Sequence, residues 1–154
     1  HQPRRQRQMC IRDRNTVSLR YFNVYGDRQP LVGQYAPVVG LFLEQWKKGE
    51  AFTIVGDGEQ RRDFTHVDDV VRANIAAAER ASDITGETIN VGTGTNHSVN
   101  QLADMICNSY TKNFIPPRPA EARVTLADIS KAKKLLGYMP SIEISDWIDE
   151  YKVQ

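Results

Sequence analysis

The sequence predicts an α/β fold, and three observations support this prediction. From Asn15 onward, segments with the two-residue period of a strand alternate with segments that have the period of a helix. Apolar residues make up 40% of the chain and charged residues 25%, as in an ordinary globular protein. Only three or four short strands are evident, which is too few for a self-sufficient doubly wound sheet. We therefore expect the chain to form part of a larger structure.

The first predicted strand leads into a loop of the kind that binds ligands. Val17, Leu19 and Tyr21 recur at every second position, which is the period of a strand. The loop 23–26 follows at its carboxyl end, where open α/β sheets place their ligands.

A helix and a second strand are predicted next. Pro37 is suited to the first turn of a helix, and Gly49 is suited to its end. The apolar face between them repeats at helical spacing: Val39, Phe42, Leu43 and Trp46. Residues 51–55 then alternate as a strand, with Phe52 and Ile54 on one face and Thr53 and Val55 on the other.

The rest of the chain is organised around the stretch 56–69. Gly56 and Gly58 can adopt positive φ in a tight turn. Two arginines follow, and an alternating segment over 64–67 predicts a short strand. Asp68 and Asp69 are good N-caps for a helix over 70–81, whose apolar face is predicted from three residues: Val71, Ile75 and Ala78.

The two arginines of this stretch allow two interpretations. An arginine beside a tight turn suits a dianionic ligand, because its planar guanidinium meets phosphate oxygens through two hydrogen bonds. Alternatively, Arg61 and Arg62 are solvated or paired with Asp57 and Glu59 on a surface hairpin. The pattern alone leaves both open.

The second half continues the alternation. Residues 88–91 predict a strand, and Gly92 and Gly94 are interpreted only as turn residues, because the third glycine of a dinucleotide fingerprint is absent. Ser98 and Gln101 form a capping box that opens a helix. An extended proline segment over 116–119 holds Arg118. Two further helices are predicted, one capped by Asp128 and ending at Gly137, the other spanning the apolar residues Ile144, Trp147, Ile148 and Tyr151.

The composition argues against a membrane protein and against a metal-binding protein. The longest nearly apolar run, 36–43, is too short to cross a bilayer, so no membrane role is expected. Cys10 and Cys107 are far apart and the three histidines are scattered, so we expect no metal site and a reduced, cytoplasmic setting.

Residues 1–14 differ from the rest of the chain. They carry a net charge of +4, so the remaining 140 residues carry −3. A nucleic-acid arm is one interpretation of so many arginines. No basic stripe continues beyond them, so we favour a disordered or foreign leader and expect no nucleic-acid partner.

Several motifs together resemble the extended short-chain dehydrogenase/reductase family, and within it the NAD-dependent nucleotide-sugar epimerases and dehydratases, of which UDP-glucose 4-epimerase is the familiar type. They are residues 19–26 (LRYFNVYG), 56–58 (GDG), 62–64 (RDF), 66–69 (HVDD), 90–94 (NVGTG), the Ser98 capping box and 128–132 (DISKA). The resemblance implies that residues 15–154 are the C-terminal part of a Rossmann-type enzyme. They would comprise the end of its parallel sheet and the small substrate-binding α/β domain.

The resemblance also implies roles for individual residues. Phe22 would lie against the nicotinamide end of NAD, and Asn23 would touch the substrate's diphosphate. Gln34 and Tyr35 would approach the nucleotide-sugar, a UDP-sugar by preference. Arg62 and Arg118 would grip the phosphates from two sides, with Glu121 near the ribose. The base pocket would be walled by three consecutive residues: Thr53, Ile54 and Val55. Arg61 is expected to be solvated or structural, and His66 and Asp69 to be hydrogen-bonded scaffold.

The chain departs from the family pattern in two ways. Ala120 stands where the family commonly has a glycine, which can shift the loop. Neither the Gly-rich phosphate turn nor the Tyr-x-x-x-Lys pair of the family's N-terminal half is present. We therefore expect a fragment of a UDP-hexose 4-epimerase, a homodimer when complete, with no catalytic residue in this chain and no NAD bound to it.

Two alternatives remain open. The complete enzyme could be a nucleotide-sugar 4,6-dehydratase of the same family, because the acid and base residues that distinguish the two reactions would lie outside this chain. The chain could instead be a noncatalytic module that binds sugar nucleotides. That module would be a compact monomer, whereas a fragment should expose an apolar sheet edge.

Overall fold

The computed structural model describes residues 15–31 and 36–153. The expectations for the leader 1–14 and for Gln34 and Tyr35 fall outside the described residues. Within them the predicted α/β fold is confirmed. The strands are β1 (Ser18–Tyr21), β2 (Val24–Tyr25), β3 (Phe52–Val55), β4 (Arg61–Arg62), β5 (Thr65–His66), β6 (Thr88–Val91), β7 (His97–Ser98) and β8 (Lys112–Ile115). The helices are α1 (Val38–Lys48), α2 (Val67–Glu79), α3 (Val99–Ile106), α4 (Ser130–Leu136) and α5 (Ile144–Val153).

The described strands form four pairs. Three pairs are parallel, β1 with β6, β2 with β5 and β3 with β8, and one is antiparallel, β4 with β7. Parallel strands end at the same edge, so the loops after β3 and β8 emerge side by side. This pairing brings the turn 56–58 beside the proline segment.

Four strands were not predicted from the sequence: β2, β8 and the short antiparallel pair β4 and β7. Residues 24–25 were interpreted as loop, yet they form β2 against β5. Residues 112–115 form β8, whose register pairs Phe52 with Lys112 and Val55 with Ile115. Three of the four β8 residues are exposed, so the segment has no apolar alternation. Pairing with a partner strand, not local sequence, forms each of these strands.

The start of α2 corrects a predicted cap. Asp68 and Asp69 were expected to be N-caps, but the N-cap is His66, whose imidazole Nδ1 accepts a hydrogen bond of 3.2 Å from the backbone N–H of Asp68. Asp69 is fully buried and accepts hydrogen bonds from the N–H groups of Ser141 and Ile142. It also pairs with Arg72. His66 and Asp69 therefore belong to the scaffold, as expected.

At the other predicted helix ends, the structure shows the expected hydrogen bonds and glycine conformations. Ser98 and Gln101 form the full capping box at the start of α3, with both reciprocal hydrogen bonds present. Asp128 accepts a hydrogen bond of 2.9 Å from the N–H of Ser130, although Ile129 occupies the N-cap position of α4. Gly49 and Gly137 end α1 and α4 in the left-handed conformation.

Two apolar clusters make up the core. One joins α1, β3, α3 and α5, and its fully buried members include Phe42, Phe52 and Ile148. The other lies between β6, α2 and α4, with Ile89 and Val91 at its centre. β1 and β2 contribute partly buried side chains to the second cluster.

The buried face of α2 is not the predicted one. Val71 and Ile75 were expected to pack inward, but they are 48% and 54% exposed. The side chains packed into the core are instead Val70, Ala73 and Ala77. Tyr21 on β1 is also exposed, at 48%, and donates a hydrogen bond to Asn74 of α2. This side of the molecule thus carries an exposed apolar surface, which we call the β1–α2 face (Tyr21, Val71 and Ile75).

Candidate functional site

Six of the predicted ligand-binding residues line one cavity of about 220 Å³. They come from four separated parts of the chain, and only the fold brings them together: Asn23, Thr53, Val55, Arg62, Arg118 and Glu121. A second cavity, of about 620 Å³, shares Val55, Gln60, Arg118 and Glu121 with the first. The two cavities are therefore adjacent, at the carboxyl ends of β3 and β8, and we call them together the cleft.

Arg62 lies on β4, opposite His97 of β7. Its Nη1 donates to the backbone carbonyl of Arg61 over 2.9 Å, and its Nη2 forms a 2.8 Å ion pair with Glu121 Oε1. The side chain is 13% exposed, so it is largely fixed by the protein. A guanidinium has five N–H donors, and an arginine held in this way keeps donors for an anion in the cavity.

Arg61 contrasts with its neighbour. Its Nε and Nη2 donate to the side chain and the carbonyl of Asn96, both over 2.7 Å. Its backbone also pairs with Val124 in an isolated parallel bridge. Arg61 is therefore a structural residue, one of the two alternatives considered for it.

Arg118 follows β8 in the extended proline segment. It lines both cavities, and the apolar part of the larger one comes from its neighbours Phe114, Ile115, Pro116 and Pro117. Arg62, on β4, and Arg118, in the proline segment, thus line the same cavity from two separated parts of the chain. An anion between them would meet two positive charges.

The wall formed by β3 is only partly as predicted. Thr53 and Val55 line the small cavity. Ile54 is fully buried in the core, because alternate side chains of a strand point to opposite faces. The prediction that Ile54 walls the base pocket is therefore wrong for its side chain. Thr53 is held by Gln45, which donates to its hydroxyl over 2.8 Å and accepts from its N–H over 3.1 Å.

Asn23 and Phe22 follow β1 at its carboxyl end. Asn23 lines the small cavity with φ of +32°, and its Nδ2 donates to the carbonyl of Asp63 and to the hydroxyl of Thr125. Phe22 is half-buried and lies outside this cavity, with its N–H bonded to the Val91 carbonyl. Phe22 therefore does not line the cavity that the six predicted substrate residues share.

Gln60 was missed by sequence reasoning. It is 8% exposed, lines both cavities and donates from Nε2 to the Val55 carbonyl over 2.9 Å. Its position two residues after the Gly-x-Gly turn was the only signal of this role in the sequence. Because it joins β3 to the turn, Gln60 shapes the cleft at the point where the two cavities meet.

Asp63 is part of the RDF motif at 62–64, but no role was predicted for it from the sequence. It is fully buried, and its carboxylate accepts four hydrogen bonds of 2.8–3.1 Å. The donors are the N–H and hydroxyl of Thr93, the N–H of Gly94 and the N–H of Ala127. Asp63 therefore fastens the loop 92–94 directly behind Arg62.

Gly92 was predicted to be a turn residue, but the structure shows instead that there is no room for a side chain at this position. A Cβ at this position would lie 2.3 Å from Ala127 Cβ and 2.9 Å from Asp63 Oδ2. Close packing thus explains Gly92, whereas Gly94 has the positive φ of a turn residue, +78°.

Two absences complete the picture of the described residues. In residues 15–31 and 36–153, no group of three or more His, Cys, Asp or Glu side chains is arranged to hold a metal ion. The same part of the chain contains no helix that is both long and apolar enough to cross a membrane.

Comparison with known proteins shows the family to which the chain belongs. The NAD dependent epimerase/dehydratase family matches residues 7–92. The chain is 39% identical over 134 residues to a putative UDP-glucose 4-epimerase of Methanocaldococcus jannaschii, covering 84% of this chain and 42% of that protein. It is 40% identical over 142 residues to a UDP-N-acetyl-alpha-D-glucosaminuronate decarboxylase of Bacillus cytotoxicus, covering 86% and 43% of the two chains.

A solved structure agrees with these relatives. The crystal structure of UDP-glucuronic acid 4-epimerase from Bacillus cereus, in complex with UDP-glucuronic acid and NAD, superposes with a TM-score of 0.78 at 40% identity. The match covers 88% of this chain and 43% of that one. The chain belongs to the NAD dependent epimerase/dehydratase family. It spans less than half the length of these relatives.

Proposed function

We propose that this chain is the nucleotide-sugar-binding half of an NAD-dependent UDP-hexose 4-epimerase. The observation that carries the proposal is the pair Arg62 and Arg118, which line one small cavity from strand β4 and from the proline segment after β8. Two guanidinium groups match the two charges of a sugar nucleotide's diphosphate. The apolar walls of the adjoining larger cavity suit the base, and Glu121 can accept hydrogen bonds from ribose hydroxyls.

Sugar-nucleotide binding is better supported than the particular reaction. The Bacillus cytotoxicus relative is a decarboxylase, whereas the Methanocaldococcus and Bacillus cereus proteins are 4-epimerases, and all three names contain a UDP-sugar. The shared element is thus the ligand class. A 4,6-dehydratase or a decarboxylase would use the same phosphate-binding residues.

The described residues do not fit the pyrophosphate of NAD. That group needs free backbone N–H donors at a Gly-rich turn opening a helix. In the turn 92–94, the N–H groups of Thr93 and Gly94 already donate to Asp63. The turn 56–58 leads into β4 instead of a helix. We therefore derive no hydride-transfer step from these residues, and propose that NAD binds to a part of the enzyme outside this chain.

The exposed β1–α2 face supports the proposal of a missing half. Exposed apolar surface of this kind, beside a strand that pairs on one side with β6, is typical of a sheet that continues. A noncatalytic module, complete in itself, would be expected to bury such residues.

The proposal is tested by calorimetric titration of UDP-glucose into the complete protein, in which this chain is joined to the N-terminal half of a family member. Arg62→Ala and Arg118→Ala should each weaken binding by about ten- to a hundredfold, since a charge-assisted hydrogen bond contributes about 1.5–3 kcal/mol. Arg61→Ala is the matched control, because Arg61 binds Asn96 and should change affinity much less. Equal losses at Arg61 and Arg62 would contradict the assignment.

Inactivity of the chain by itself is tested separately. Residues 1–154 incubated with NAD and UDP-glucose should form no UDP-galactose, and mass spectrometry under native conditions should detect no bound NAD. Turnover by the isolated chain would require an active site among the residues described above and would overturn the fragment proposal.

A further inference from the structure

The ion pair between Asp57 and Arg123 connects the two loops that form the larger cavity. Nη1 and Nη2 of Arg123 contact the two carboxylate oxygens of Asp57 over 2.7 and 2.8 Å, a bidentate arrangement. Both residues line the cavity of about 620 Å³. Asp57 belongs to the turn after β3, and Arg123 ends the loop that follows β8.

Both sides of this contact are held by the backbone. Gly56 and Gly58 have positive φ, and Asp57 Oδ1 also accepts from the N–H of Glu59 over 3.0 Å, which orients the carboxylate. On the other side, the N–H of Arg61 donates to the Arg123 carbonyl over 2.8 Å. The bidentate geometry of the pair is therefore prepared before any ligand arrives.

The loop closed by this ion pair carries two of the ligand-facing residues. It runs from Pro116, at the end of β8, to Arg123, and Arg118 and Glu121 lie between these ends. Between these ends the structure gives one side-chain hydrogen bond to another element, the ion pair of Glu121 with Arg62. Arg118 is exposed and relies on the ends of the loop for its position.

We propose that Asp57 and Arg123 are positioning residues, which form a clasp that holds the loop 116–122 so that Arg118 faces the same ligand as Arg62. This inference rests on the proposed function. An isolated exposed ion pair contributes little to stability, and both side chains are more than half exposed. The clasp acts instead on binding, because a loop already held in its bound arrangement loses less conformational entropy when the ligand binds.

The test is a double-mutant cycle on UDP-glucose affinity, measured by calorimetry in the same complete protein. Arg123→Gln should weaken binding by about three- to tenfold when Arg118 is present, a coupling of the size that neighbouring residues show. In an Arg118→Ala background the same change should have almost no effect. Asp57→Asn should reproduce Arg123→Gln, and combining the two should add nothing further.

Matched variants separate this role from general electrostatics and from folding. Lys131→Gln removes a comparable exposed ion pair, with Glu87, that lies outside both cavities, and should leave affinity unchanged. Arg123→Lys keeps the charge but loses the bidentate fork, so its loss should be intermediate. It also serves as the readout if thermal melts show that Arg123→Gln does not fold.

The outcomes distinguish the two proposals. An equal loss with and without Arg118, or no loss from either clasp variant, would overturn the clasp while leaving the proposed function intact. If Arg62→Ala and Arg118→Ala themselves leave affinity unchanged, the proposed function fails, and the clasp fails with it.

Discussion

The chain contains two Gly-x-Gly turns that the fold uses in opposite ways. In the turn 92–94, the N–H groups of Thr93 and Gly94 are bonded to the buried carboxylate of Asp63. In the turn 56–58, the central residue is Asp57, whose exposed carboxylate reaches across to Arg123 at the edge of a cavity. The same spacing thus makes a closed, internal anchor in one place and an open side of the cleft in the other. The difference lies in the carboxylate: Asp63 bonds to the backbone of the turn 92–94, whereas Asp57 belongs to the turn 56–58 and bonds to a side chain outside it.

The largest difference between the two turns is expected when the buried carboxylate of Asp63 is removed, because this change should lower the free energy of unfolding most. Asp63→Ala removes the acceptor of the buried N–H of Ala127 and of the less buried N–H groups of Thr93 and Gly94. A buried donor left unsatisfied costs about 1–3 kcal/mol, so we expect a loss of about 3 kcal/mol in the free energy of unfolding, measured by urea denaturation. Asp57→Ala is the control and should cost far less, because its carboxylate is exposed. Similar losses at the two positions would show that burial is not what separates the turns.

A smaller effect is expected from adding a methyl group behind the internal turn. Gly92→Ala would place a Cβ 2.3 Å from Ala127 Cβ, and overpacking of this kind costs about 1–3 kcal/mol. A thermal melt measures the change. Ala127→Gly should recover part of the loss in a Gly92→Ala background, since it removes the atom that the new methyl group meets. No recovery would place the strain elsewhere in the turn.

A gain of stability is expected on the open side of the cleft. Ala120 has φ of +58°, a left-handed conformation that costs a residue with a Cβ about 1–2 kcal/mol. Ala120→Gly should therefore stabilise the chain, although glycine loses more chain entropy on folding, so the net gain is about 1 kcal/mol or less. Ala122→Gly, in the same loop but without positive φ, is the matched control and should not stabilise. A lower midpoint of urea denaturation for Ala120→Gly would contradict the expected strain.

The smallest expected effect concerns pH. The hydrogen bond from Arg123 lowers the pKa of Asp57 from 3.8 to about 2. A carboxylate with a depressed pKa contributes stability that is fully present above pH 3.8 and is lost as the pH falls through about 2. The slight difference in stability between the native chain and Asp57→Asn should therefore be constant near neutral pH and disappear at about pH 2. A difference that persists below pH 2 would rule out this ion pair as its source.

Several elements follow from local sequence, because their determinants lie within a few residues. The strands near 18–21, 52–55 and 88–91 and the helices around 38–48 and 99–106 were predicted from periodicity and caps. The Ser98–Gln101 box needs no distant partner. The cleft residues Arg62, Arg118 and Glu121 were found through the family resemblance, whereas pattern alone left Arg61 and Arg62 equivalent.

Other features depend on contacts that periodicity does not encode. The face of α2 was assigned to Val71 and Ile75, yet the core packs against Val70, Ala73 and Ala77. Alanines give a weak hydrophobic signal, so the larger side chains dominated the prediction although the helix exposes them.

By itself, then, the sequence determined the α/β class, the main helices and strands, the turn at Gly56 and Gly58, and the family. The tertiary structure decided which of two adjacent arginines faces the cleft, because Arg61 is held by Asn96, thirty-five residues further along the chain. It also decided the role of Asp63, whose four donors lie thirty or more residues away, and the pairing of β8 with β3. Hydrogen bonds between residues so far apart in the sequence form only when the chain has folded, so no local sequence pattern predicts them.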